Sequence, residues 1–117
     1  MKLKDALPDF YAEVGHLLRK RKLEGLISQL SDLEITDRCD CGEYDCATFH
    51  VESLRHLNDV ETNIIGVRHG DSFDLDAETG MIVVDTDNFG RITGFEVLNR
   101  KDVSDALHAA GVQERAV

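Results

Sequence analysis

The sequence predicts an α+β domain: an N-terminal helical pair, an antiparallel sheet of about five strands made of a hairpin and a meander, and a C-terminal helix. Three observations predict it. Apolar residues recur every three or four positions near both ends of the chain, and they alternate every second position through the middle. Gly, Asn and Asp punctuate the alternating stretches where turns are needed. A chain of 117 residues without internal repeats or linkers reads as a single domain, 1–117, able to bury one core without a metal or disulfide.

Phe10, Val14, Leu17 and Leu18 follow Pro8 at helical spacing, so residues 7 to 20 read as an amphipathic helix with proline in its first turn. Leu23, Leu26, Ile27 and Leu30 repeat the pattern, weakened by Gly25, as a second short helix. The period then changes to two. LEITDR at 33 to 38 and ATFHV at 47 to 51 read as strands joined through the turn-rich CDCGEYDC, hence a hairpin. Residues 52 to 70 carry a weaker pattern, with a short strand or ordered loop expected near Asn63 to Val67. SFDLD, MIVVDTD and RITGFEVLN, separated by AETG and NFG, read as a meander with Gly80 and Gly90 at positions wanting positive φ. Finally Val103, Ala106, Leu107 and Ala110 share a helical face that Gly111 is placed to end.

Charge is the strongest global signal. Thirteen Lys and Arg stand against 23 Asp and Glu, a net −10, and the distribution is uneven: residues 1 to 22 carry +3 and the remainder −13. Such a surface repels phosphate backbones and attracts cations, so it argues against nucleic acid as a partner and for a basic protein. The RKRK cluster at 19 to 22 closes the first helix, where cations complement the macrodipole. The opening MKLKDALPDF has no apolar run of a secretory signal, and MIVV at 81 to 84 is too short to span a bilayer, so no membrane partner and a cytoplasmic location are expected. Thiols there stay reduced.

All three cysteines, Cys39, Cys41 and Cys46, lie in CDCGEYDCATFH, which ends on His50. Three thiols and an imidazole resemble a zinc set, but on a strand Cys46 and His50 stand about 13 Å apart, too far for one ion with bonds of about 2.0 to 2.3 Å. A hairpin closing over Gly42 to Asp45 instead sets Cys41 opposite Cys46, Cys39 near Thr48 and Asp37 near His50. That register also permits a Cys41–Cys46 disulfide. Reduced structural cysteines with no cofactor are the first expectation; zinc on Cys39, Cys41 and Cys46, with a fourth ligand from elsewhere, is the alternative.

Asp85, Asp87, Gly90, Ile92 and Glu96 match positions of a calcium EF-hand loop. Phe89 occupies a ligand position, however, and the flanks alternate like strands, so the match is excluded if 81 to 98 is a hairpin. His16 and His108 read as helix boundary residues, and nothing links His56 or His69 to a nucleophile. There is no phosphate loop, GxSxG or HExxH, so a non-enzyme is expected.

TDRCDCGEYDCATF, followed by FDLDAETGMIVVDTDNFGRITGFEVLNRKDV, resembles a family of small bacterial proteins of uncharacterised activity with a CxCG hairpin and a β-meander. That resemblance implies no catalytic set. By class and charge the chain is also similar to bacterial toxin-immunity proteins, including those of contact-dependent growth inhibition. This implies an immunity protein that neutralises a basic toxin such as a nuclease, acting as monomer or homodimer, with Asp40, Glu43, Asp45, Asp59, Glu61 and Asp71 as the partner-binding acids. The alternative function is a small zinc-binding or thiol redox module built on the cysteines.

Overall fold

The computed structural model describes residues 1–41, 45–53 and 70–114. The segment expected near Asn63 to Val67 lies outside them. The described elements are α1 (Leu3–Ala6), α2 (Pro8–Lys20), α3 (Glu24–Ile27), a 3-10 turn (Leu30–Asp32), β1 (Leu33–Arg38), β2 (Phe49–Ser53), β3 (Ser72–Asp74), β4 (Met81–Thr86), β5 (Ile92–Leu98) and α4 (Lys101–Ala109). All strand pairs are antiparallel, in the order β1-β2-β5-β4-β3. The α+β architecture with hairpin, meander and flanking helices is therefore as expected, and β2 against β5 joins the two sheet units.

Alternation decides which side each strand residue takes. Leu33 and Ile35, Phe49 and Val51, Ile82 and Val84, and Phe95 and Val97 all point to one side and are buried. Phe10 from α2 enters between Phe49 and Phe95, with ring centroids 5.4 Å from each and edge-to-face geometry. Val103 and Leu107 of α4 join the same core. The described helices thus pack on one face of the sheet.

Two boundaries differ from the periodicity reading. The second helix stops at Ile27, and two residues on Gln29, only 1 % exposed, turns inward. Its amide donates to Gly90 O at 2.9 Å while its carbonyl accepts Ile92 N–H at 2.8 Å, clamping the β4–β5 turn. β3 ends at Asp74 rather than Asp76, because the Asp74 carboxylate accepts the Asp76 amide at 2.9 Å and Asp76 sits at φ 55°. The helix at Leu3–Ala6 has no counterpart in the periodicity reading.

Gly80 and Gly90 adopt the positive φ their turns require, 67° and 82°. The β4–β5 hairpin puts Asp85 and Glu96 on neighbouring strands, so the EF-hand match has no helix–loop–helix to support it.

Candidate functional site

Two features stand out: a thiol cluster at the end of the β1–β2 hairpin where the two strands connect, and the face of the sheet opposite the described helices.

The hairpin takes the register that places Asp37 beside His50. Thr36 is the extra residue of a bulge between Ile35 and Asp37, which turns Asp37 outward. His50 Nδ1 then lies 2.5 Å from Asp37 Oδ1. Beyond β1, Cys39 N–H donates to Thr48 O at 2.8 Å, and Cys46 bridges Leu98 of β5. The result is convergence. The sulfurs of Cys39, Cys41 and Cys46 lie within 4.8 Å of one another, and all three are free thiols. His50, committed to Asp37, is outside this group.

The thiols share protons unequally. A backbone hydrogen bond from Cys41 favours the Cys39 thiolate, but burial and the Cys41 and Cys46 thiols outweigh it and push the Cys39 thiol up to about 11. Burial also opposes ionisation of Cys46, yet hydrogen bonds from the Thr48 hydroxyl and backbone and from the neighbouring thiols hold it below its ordinary value. Of these two thiols Cys46 ionises the more readily, and the thiolate is the nucleophilic and metal-ligating form of a cysteine.

A cavity of about 180 Å³ opens over the cluster, lined by the three cysteines, Thr48 and, from α4, Ser104 and His108. Local chain chemistry fixes α4 there. Gly111, at φ 75°, ends the helix with Val112 N–H donating to Leu107 O at 3.1 Å. The returning chain then meets Arg38, whose Nε donates to Val112 O at 3.0 Å and whose amide donates to Gln113 O at 2.9 Å.

On the other face, outward strand positions carry Glu34, Asp37, Glu52, Asp74, Asp85 and Glu96. Arg38 is the sole Lys or Arg within β1 to β5, and it is tied to the chain after α4. Glu34 stands directly opposite Glu52, although it also meets the Met1 amino group. Asp85 accepts the Ser72 hydroxyl at 2.6 Å. A hydrogen bond with Asp85, burial and repulsion from Asp85 hold the Glu96 carboxyl above its ordinary range. Like charges facing across strands are destabilising, so this face carries more negative charge than the fold alone favours.

Of the acids picked from the sequence, Asp40 and Asp45 are exposed beside the thiol cluster, where Asp45 O accepts Asn99 N–H at 2.9 Å. Asp71 sits at the far end of the sheet, its carbonyl accepting Thr86 N–H at 2.9 Å. Glu43, Asp59 and Glu61 lie outside the described residues. Asp40 and Asp45 thus each flank a cysteine of the thiol cluster, and Asp71 lies by the strand at the other edge of the sheet. The outward strand acids were missed, although the period-two alternation of LEITDR, SFD, MIVVDT and GFEV carries that signal. His108 was passed over because helix position alone says nothing about the hairpin it meets.

Comparison with protein-family models, curated proteins and solved structures returns no match. Among the described residues no helix is long and apolar enough to cross a membrane.

Proposed function

We propose that the protein is a non-enzymatic binding module that docks a basic protein on its acidic surface, in the manner of an immunity protein masking a cationic toxin. The carrying observation is the sheet face opposite the described helices, where six outward positions across the five strands carry carboxylates. Repulsion there lowers stability in the free protein and is relieved by a cationic partner, which favours both rapid association and tight seating. The exposed acids Asp40 and Asp45 extend the negative surface at one end. The experiment is to measure binding of a basic model protein such as lysozyme or cytochrome c, and of any basic protein found to be encoded beside this gene, between about 0.05 and 0.3 M salt. Affinity should fall steeply with salt and weaken further for the combined Asp85→Asn, Glu96→Gln, Glu52→Gln variant. Binding indifferent to both salt and these substitutions would sink the reading.

A second reading is favoured by a specific observation, the convergence of three free sulfurs within 4.8 Å. It makes the hairpin end a metal-binding or redox-active thiol module. Metal content of the purified chain, compared with that of the Cys39→Ser, Cys41→Ser, Cys46→Ser variant, tests it; equal metal in both would reject a metal role.

A further inference from the structure

We propose that His108 completes a Cys3His site with Cys39, Cys41 and Cys46 for zinc or another thiophilic divalent cation, and that the ion staples the hairpin end to α4. This rests on the thiol cluster being a metal site.

Three thiolates alone leave a tetrahedral ion one ligand short. At a metal–sulfur distance of about 2.3 Å, tetrahedral sulfurs stand about 3.8 Å apart, so the cluster needs only a small contraction from its limit of 4.8 Å. The fourth group has to come from outside the hairpin. His50 is held by Asp37 on the opposite face, while Glu114, which also lines the cavity, pairs with Arg38 at 3.3 Å. His108 lines the same cavity from α4 but lies outside the group of ligand atoms within 4.8 Å of one another, so coordination needs its ring to move in toward the sulfurs.

The tautomer of His108 is set by its helix. Nδ1 lies 2.8 Å from the Ser104 carbonyl oxygen, which can only accept, so Nδ1 carries the proton and Nε2 holds the lone pair. Metal-bound histidines are ordinarily oriented in this way, by a carbonyl or carboxylate on the other ring nitrogen. The backbone is pre-set as well. Arg38, adjacent to Cys39, binds Val112 O and Gln113 O beyond the end of α4, fixing the helix end against the hairpin without the metal. Four protein ligands leave no open position, so the site is structural rather than catalytic.

The test uses the full chain, reduced and metal-free, titrated with Co²⁺ and then Zn²⁺. The wild type should take up one ion, with intense tetrahedral d–d bands and sulfur-to-metal charge transfer, and Zn²⁺ should shift the His108 Nε2 resonance in ¹⁵N spectra. His108→Ala, checked for retained fold by amide spectra, should bind at least about tenfold more weakly with altered d–d bands. His50→Ala, the control, should bind as the wild type does. Unchanged affinity and bands in His108→Ala would overturn the fourth ligand while leaving the thiol reading intact. Failure of the wild type to bind either ion would overturn both.

Discussion

Arg100 and Glu13 meet fork to fork across 87 residues of sequence, with Nη1 to Oε2 at 2.8 Å and Nη2 to Oε1 at 2.7 Å. Arg100 is only 8 % exposed, and it also donates to both Asp102 oxygens and to Thr79 O, so α2, the β3–β4 turn and the start of α4 share one guanidinium. Arg100→Ala should cost about 3 kcal/mol, the low end for a broken buried pair because its partners reach solvent. Arg100→Lys cannot serve all three partners and should cost about half as much. The substitution should also change the acid limb of stability. Arg100, by hydrogen bonding, holds the Asp102 carboxyl below its ordinary range, so that contribution is present above the usual Asp value and lost as pH falls through the lowered one. Urea midpoints from pH 7 downward should show a shallower acid decline in Arg100→Ala.

Gln29 is the next most consequential polar side chain. Removing it in Gln29→Ala leaves Gly90 O and Ile92 N–H without their partner, an expected loss of about 2 to 4 kcal/mol. Gln29→Glu should be worse, because a carboxylate can still accept from Ile92 but cannot donate to Gly90 and would be buried charged. Chemical denaturation of the two variants checks the order.

Glu96 carries the opposite pH signature from Asp102. Its carboxyl is raised, first by the hydrogen bond with Asp85, so its contribution is fully present below the ordinary Glu value and lost as pH rises through the raised one. Glu96→Gln should therefore stabilise the protein at neutral pH by a few tenths of a kcal/mol, roughly the scale of a cross-strand pair, and the gain should vanish in acid. A gain independent of pH would contradict this account.

Thiol reactivity should follow proton affinity within the cluster. With Cys46 held below and Cys39 raised to about 11, limiting iodoacetamide at neutral pH should label Cys46 before Cys39, read by mass spectrometry of proteolytic fragments. Thr48→Val should slow labelling of Cys46, since the Thr48 hydroxyl is among the groups that stabilise its thiolate. Labelling of Cys39 first would reverse the assignment.

Much of this fold was legible because its elements obey simple periods. Phe10, Val14, Leu17 and Leu18 marked α2, and Leu33 with Ile35 marked β1, since each stripe meets one buried surface. Even the hairpin register, with Asp37 at His50 and Cys39 at Thr48, followed from counting residues around the turn. What period cannot carry is side-chain reach between distant elements. Gln29 and Arg100 look like ordinary surface residues in sequence, yet both are buried because backbone groups or carboxylates over 60 positions away satisfy them. His108 joined the thiol cavity for the same reason, through the return of the chain past Gly111 onto Arg38. The acids chosen near turns followed exposure; alternation within each strand marks the outward acids, but their sharing of one face follows only from the pairing of the strands.

Glu34 directly opposite Glu52, and Glu96 diagonally across from Asp85 on the neighbouring strand, would also make the protein a thermodynamic sensor. Any polycation that prefers the folded face to the unfolded chain raises the melting temperature by mass action, about 2.7 kcal/mol at one hundred times its Kd. Melting in spermine or short polylysine then tests whether the sheet face takes a polycation at all, the condition the proposed basic partner has to meet.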